Sequence, residues 1–348
     1  MNTYLKSLYF LAVIGVLTAC DNNDPEPEVV GQFEGGVFVS NEGNYGEGDG
    51  SLSFINHEGV VINNLFVNVN SKDLGDVVQS LHISNDLLFT VVNNSNKIEV
   101  VSLSDNLKSL YTIDNLALPR YMDSNEGTGY VSEWISFEDP GQITVFDLIT
   151  GEISNSIEVG YGAEGVKVVG DYLFVANNFG TTVDLIDLTT ETVSASIEVG
   201  SSPKLFVEDA QGDIWVSCQG GLDLDWNPAN DGKLVELDPS TGTVKTTIEL
   251  ETNFNGKIDI SPEGTEIYFT NGNTIYSVAS EGATGSEVVK QFNNFTSFYG
   301  FGVAPDGSFY LSDSRGFIEN GRVIHYTPDN IFITSTEVGR GPNGFAFN

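Results

Sequence analysis

The chain of 348 residues has little cysteine, little positive charge and little histidine, and each shortage removes a class of function. Cys20 and Cys218 are its two cysteines, and Cys20 closes an N-terminal leader, so the mature chain has no pair for an intrachain disulfide and must rely on core burial. Lysine and arginine number 14 against 49 aspartates and glutamates, a formal net charge of −35. Nucleic-acid binding without sequence preference needs a basic face, and this balance excludes it. The histidines, His57, His82 and His325, fall in different repeats of the unit described below, which argues against a three-histidine metal centre. No Cys-x-x-Cys-His haem attachment and no Gly-x-Ser-x-Gly nucleophile elbow occurs. Long helical periodicity is lacking too; where apolar residues recur they alternate, and they are β-branched or aromatic.

The one long apolar run stands at the start. "MNTYLKSLYFLAVIGVLTAC" has a lone Lys6, an apolar stretch from Leu8 to Leu17 and a small-residue exit. Its "LTAC" matches the bacterial lipobox, which predicts removal of residues 1–19 and lipidation of Cys20, an anchor to a membrane and not a span. "DNNDPEPEVVGQ" is acidic, contains proline and has too few apolar residues to pack, so residues 20–35 read as a tether.

From residue 36 onward one unit recurs. "VFVS" at 37 aligns with "LFTV" at 88, "GYVS" at 129, "LFVA" at 173, "IWVS" at 214, "IYFT" at 267 and "FYLS" at 309, at intervals of 51, 41, 44, 41, 53 and 42 residues. The second place is always aromatic: Phe38, Phe89, Tyr130, Phe174, Trp215, Tyr268 and Tyr310. A strand and tight turn precede each run, and two strands joined by a second turn follow it, as in "TVDLIDLTTETVSASIEVG". Four antiparallel strands in about 45 residues make one propeller blade. The expected fold is an all-β, seven-bladed propeller over 36–348, with "GFAFN" at the C-terminus supplying the innermost strand of the first blade and closing the ring. The repeated aromatics read as core, filling space between blades.

The glycine-rich "GNYGEGDG" is no phosphate cradle. A cradle needs a helix directly after it, whereas "SLSFIN" alternates as a strand, and no Lys-Ser or Lys-Thr pair is present. It is one of the loops that follow the second strands, long at 41–50, 133–141, 218–233 and 313–322, while the turns on the opposite face are short. Length placed on one face marks the functional side of a scaffold. The rim so formed carries Tyr45, Trp134, Phe137, Phe179, Trp226 and Phe317, with Phe254, Phe298 and Tyr299 in inter-blade loops. These rings either pack on one another or offer flat surfaces to a sugar or macrocycle. All four arginines, Arg120, Arg315, Arg322 and Arg340, and also Lys72, Lys204, Lys233 and Lys257, map to the same face, where they either recognise an anion or neutralise acidic loops. The expected ligand-binding set is Asn44, Tyr45, Arg120, Trp134, Phe137, Phe179, Lys204, Trp226, Phe298, Arg315 and Arg340, with no metal, cofactor or catalytic residue. "DLDWNPAND" offers oxygen donors in Asp223, Asp225, Asn227 and Asp231, but Pro228 and Leu234 stand where an EF-hand needs glycine and glutamate.

"FVAN" at 174–177, "YVSE" at 130–133, "YFTN" at 268–271 and "FVSN" at 38–41 resemble the YVTN class of propeller, while "FTVV" at 89–92 departs from it. That class implies a fold and no particular function. "FVSNEGNYGEGDGSLSFIN" soon after a lipobox is similar to the YncE-like surface lipoproteins of Bacteroidetes, relatives of the corrinoid-capturing BtuG proteins that sit over a TonB-dependent transporter. Asn41, Glu42, Gly43 and Asn44 carry that likeness, and the acidic residues after Cys20 resemble the surface-export signal of such lipoproteins. The resemblance implies an outer-membrane, surface-exposed, non-enzymatic protein that captures a corrinoid such as cobalamin for the transporter. Glycan binding, an adhesion or scaffold role, and lactonase-type hydrolysis are the alternatives.

Overall fold

Strands too short to bury their surfaces alone must find partners, and here they do so in seven four-stranded antiparallel sheets. The computed structural model describes residues 33–221, 229–250, 252–283, 285–293 and 295–348. Blade 2 runs over 78–113, blade 3 over 119–158, blade 4 over 163–198, blade 5 over 203–249, blade 6 over 258–291 and blade 7 over 298–337, each in chain order. Blade 1 combines Val37–Asn41, Ser51–Ile55 and Val61–Ile62 with the C-terminal strand Pro342–Phe347. The closing register pairs Val37 with Phe347, Phe38 with Ala346 and Val39 with Phe345. Each innermost strand lies beside those of the two adjacent blades, and Pro342–Phe347 touches both Phe298–Val303 and Val78–Ser84, so the ring is closed. The seven-bladed expectation is met.

The second strand of every blade lies between its own neighbours and the next blade, which explains its run of apolar residues ahead of a buried polar end such as Ser40-Asn41 or Ser132-Glu133. Phe38, Phe89, Tyr130, Phe174 and Trp215 are buried, as the repeat predicts. Each such side chain contributes roughly 1.5–3 kcal/mol by leaving water. Trp215 keeps its indole N–H satisfied on Asp209 Oδ2 at 2.9 Å. Tyr268 and Tyr310 are half-buried instead; Tyr310 stacks on His325 with ring centroids 4.1 Å apart.

Two features differ from expectation. A short helix, Leu65–Asn70, joins blades 1 and 2 and buries Leu65 and Phe66. With 6 residues it is too short for a 3.6-residue period to register. The packed chain also begins before residue 36: Phe33 is buried edge-on against Phe54, 5.0 Å between centroids. Beside it, Gly35 N–H donates to the Asn348 carbonyl at 2.8 Å, so both ends of the fold meet on the short-turn face. No helix of the described residues is long and apolar enough to cross a membrane.

Candidate functional site at the channel mouth

The innermost strands start with a shared irregularity. In blade 3 Pro119 pairs with Glu133 and the next pair is Met122 with Val131, leaving Arg120 and Tyr121 opposite the single residue Ser132. Blades 4, 5 and 7 repeat this at Glu164–Gly165, Lys204–Leu205 and Tyr299–Gly300, and blades 1 and 2 have one extra residue, Asn343 and Gln79. These are β-bulges, which re-aim a side chain and leave backbone groups outside the ladder. With Lys257 just before the inner strand of blade 6, the seven blades place Gln79, Arg120, Glu164, Lys204, Lys257, Tyr299 and Asn343 at equivalent positions around the channel.

Serines of the repeated motif recapture the freed backbone. Ser217 Oγ accepts from Leu205 N–H at 3.1 Å and donates to the Gly256 carbonyl of the next blade at 2.8 Å. Ser132 bridges Tyr121 N–H and the Glu164 carbonyl in the same way, and Ser312 bridges Gly300 N–H and the Pro342 carbonyl. Each serine thus fixes the ring residue of its own blade and that of its neighbour. Replacing Ser217 by alanine leaves the buried Gly256 carbonyl without its donor and the Leu205 N–H without its acceptor, and is expected to cost about 1–3 kcal/mol, read from urea unfolding. A cost within a few tenths would mean that the bulge holds itself.

The ring encloses a cavity of about 630 Å³, whose walls include Gln79, Arg120, Lys204, Lys257, Tyr299 and Asn343, with Glu42, Asn44 and Tyr45 of the opening loop across its mouth. Arg120 is fully engaged: its Nε and Nη2 donate to both oxygens of Glu164 at 2.8 and 2.9 Å, Nη1 donates to Gln79 at 2.6 Å, and its plane lies 4.0 Å from the Trp134 ring centre. Desolvation disfavours the Arg120 charge, but the Glu164 carboxylate more than offsets it and the guanidinium is held more firmly protonated than usual. Glu42 accepts from the Tyr299 hydroxyl at 2.8 Å. Burial raises the Glu42 carboxyl above its ordinary range, although Tyr299, Lys257, Arg120 and Lys204 pull the other way. Lys257 donates to the Asn343 carbonyl at 2.9 Å and to its side-chain oxygen at 2.5 Å, and Asn343 donates to the Gln79 carbonyl at 2.8 Å. Burial first, and the charge of Lys204 second, push the Lys257 amine down to about 7. The site can hold a polar, charged ligand with aromatic edges.

Of the expected residues, Asn44, Tyr45, Arg120, Lys204 and Phe298 line this cavity. Tyr45 is 80% exposed at its lip. Phe298 also packs edge-on against Phe295, 5.0 Å away. Trp134 stands behind Arg120, its indole N–H donating to Glu164 at 2.9 Å. Phe137 and Phe179 lie outside the cavity, stacked on each other at 5.6 Å with Trp134 against them, so loop packing accounts for part of their placement. Phe254, grouped above with the rim, is instead buried against Phe269.

The arginines do not converge. Arg340 pairs with Asp49 at 2.9 Å and also donates to the Asn44 amide oxygen at 2.7 Å, Arg315 meets Glu337 at 3.3 Å, and Arg322 meets Asp313 at 3.0 Å. Neutralising acidic loops is their structural role, and Arg120 alone reaches the channel. Cys20 and Trp226, with Asp223, Asp225 and Asn227, lie outside the described residues. Glu42, Gln79, Glu164 and Asn343 were not among the expected ligand residues. Asn343 follows Pro342 as Arg120 follows Pro119 and Lys204 follows Pro203, and that offset was the available signal for it; Glu164 follows Ala163 and carried none. On the opposite face Asp209, Asp213 and Glu236 converge, but Lys245 pairs with the latter two and Trp215 with the first, so the chain's own donors fill that cluster.

The model of a family described as a domain of unknown function, DUF5074, matches residues 35–309. The chain belongs to the DUF5074 family. No functionally curated protein matches it. Among solved structures, a functionally unknown protein from Desulfotomaculum acetoxidans superposes with a TM-score of 0.69 at 12% identity, covering 90% of this chain and 99% of that one. A quinoprotein alcohol dehydrogenase-like protein from Bacteroides thetaiotaomicron gives 0.68 at 14%, covering 90% and 78%. A putative 6-phosphogluconolactonase from Bacteroides fragilis gives 0.66 at 16%, covering 93% and 100%. At these identities the likeness extends to the propeller fold and no further, so this DUF5074 member's function rests on its own residues.

Proposed function

We propose that the protein is a binding protein and not an enzyme, a surface lipoprotein of the outer membrane that captures a ligand at the mouth of its channel and hands it to a TonB-dependent transporter. The observation that carries the reading is the cavity of about 630 Å³ with charged and amide groups inside and the exposed Tyr45 at its lip. That volume falls within the range of small-molecule sites, roughly 300–1,000 Å³. The meeting of Gly35 and Asn348 on the short-turn face supports the anchor as well. A lipid on Cys20 would tether the opposite end of the channel and leave the cavity facing the medium.

Resemblance makes a corrinoid the first ligand to test, and the site chemistry suits one: amide groups on Gln79, Asn255 and Asn343 for its side-chain amides, and cationic groups for its phosphodiester. Purified protein mixed with excess cobalamin is expected to carry corrin absorbance in its gel-filtration peak, and Tyr45→Ala to weaken the retention severalfold. A colourless peak from folded protein would end the corrinoid assignment and bring oligosaccharides forward as the next ligands to titrate.

A further inference from the structure

We propose, resting on the capture reading above, that the channel mouth holds a built anion subsite in which the ammonium groups of Lys204 and Lys257 grip one phosphate or carboxylate group of the ligand. Six lysines elsewhere in the fold are consumed by the acidic surface: Lys72, Lys97, Lys108, Lys167, Lys233 and Lys245 each stand within 4 Å of a carboxylate, while Lys290 donates to the Asn330 carbonyl outside the channel and lies over the Tyr326 ring. Lys204 and Lys257 form no such pair with any described residue, although acids outnumber bases 49 to 14. Their neighbours in the ring are already committed, Arg120 to Glu164 and Tyr299 to Glu42.

The two lysines are brought together by Gly256. Its φ of +75° and missing side chain let the Lys204 stem lie along the backbone just before Lys257; a Cβ there would come within 2.6 Å of Lys204 Cδ. Lys204 Nζ then donates to the Asn255 carbonyl at 2.9 Å, which leaves two of its three N–H groups for a ligand. Lys257 spends two on Asn343 and keeps one. Burial disfavours both ammonium groups, and the charge of Lys204 adds to the cost at Lys257. The Lys257 amine accordingly sits at about 7, and the Lys204 amine is lowered as well, by burial first and then by the charge of Arg120, against the pull of Glu164 and Glu42. The other titratable groups facing the pair are Glu42, Arg120, Glu164, Tyr121 and Tyr299, which carry one cation and two carboxylates, and burial weakens the ionisation of Glu42. An anion between the ammonium groups removes the repulsion and receives three charge-assisted hydrogen bonds.

The test is isothermal titration of the purified protein with inorganic phosphate and, separately, with acetate, beside K204M, K257M and the distant K290M, each checked by circular dichroism. At least one anion is expected to bind saturably, and the tighter one identifies the group. K204M and K257M should each weaken it at least about tenfold, while K290M leaves it unchanged. Binding at pH 8 should also take up a proton from the buffer, because the anion returns Lys257 to its charged form; K257M should abolish that uptake. No anion binding by the unsubstituted protein, or binding that survives both substitutions, overturns the proposal. Cyanocobalamin and cobinamide, which lacks the phosphodiester, separate this result from the capture reading. If phosphate binds through the lysines and neither corrinoid does, the corrinoid assignment falls and the subsite stands. If both corrinoids bind alike and independently of the lysines, capture stands and the subsite falls.

Discussion

A chain ended at Gly341 is expected to be recovered as aggregate or as higher oligomers and not as a folded monomer. Removal of 342–348 strips Val37–Asn41 of its partner along the whole register from Val37–Phe347 to Asn41–Pro342. The strand left behind is buried at all five positions, so the truncation exposes an apolar edge with unpaired backbone groups, the kind of surface that recruits another chain. Blade 7 suffers too, because Tyr310 loses the ring of Phe347, 5.3 Å away, and that of Phe345, 5.9 Å away. Light scattering after gel filtration gives the oligomeric state. A peptide spanning 337–348, added during refolding, is expected to restore part of the monomer by supplying the missing strand. A truncated protein that elutes as a monomer with an unchanged melting temperature would mean the ring does not depend on its closure.

Glu164→Ala is expected to cost about 3–5 kcal/mol, because it leaves the Arg120 guanidinium buried without its counter-charge. Glu164 is 1% exposed and accepts three hydrogen bonds from side chains, two from Arg120 and one from Trp134. The loss should be partly recovered in a chain that also carries Arg120→Met, since removing both charges removes the uncompensated one. Denaturant unfolding of the two single variants and the double variant measures this coupling. Near-additive losses would show that the pair does not act as a unit, and a Glu164→Ala loss under 1 kcal/mol would show that water reaches Arg120 to replace it.

The sheet architecture could be read from sequence because its main determinant repeats. A strand packed between blades is mostly apolar, and the aromatic second place, from Phe38 to Tyr310, recurs in every blade, buried in five and half-buried at Tyr268 and Tyr310. The site has the opposite character. Its ring positions share a backbone geometry but no residue type: Gln79, Arg120, Glu164, Lys204, Lys257, Tyr299 and Asn343 have nothing in common until the bulges align them. Arg120, Lys204 and Lys257 could be placed near the channel from their position at the start of inner strands, and Asn343 shares their offset after proline, whereas Glu164 could not be told from a surface residue. The arginines were legible as a group on one face but not in their pairing. Arg340 finds its carboxylate in Asp49, 291 residues earlier in the chain, and no local pattern encodes that meeting. The helix Leu65–Asn70 and the burial of Phe33 depend likewise on contacts that exist only once neighbouring blades are assembled.

Pairing the last strand of the ring, Pro342–Phe347, with Val37–Asn41 ties folding to synthesis. Blades 2 to 7 are each made from one unbroken stretch of chain and can form as soon as that stretch is available. Blade 1 must wait for a partner some 300 residues away, as the bond between Ser40 and Gly344 across 304 residues makes plain. Closing so long a loop is slow, and it comes at the end. Asn343 arrives with that same strand, and it is the residue that holds the Lys257 ammonium and ties it to Gln79. The cavity therefore gains its final wall in the step that completes the ring. A molecule interrupted before that step has neither a sealed edge nor a finished site, so binding competence and completed folding should appear with one and the same rate.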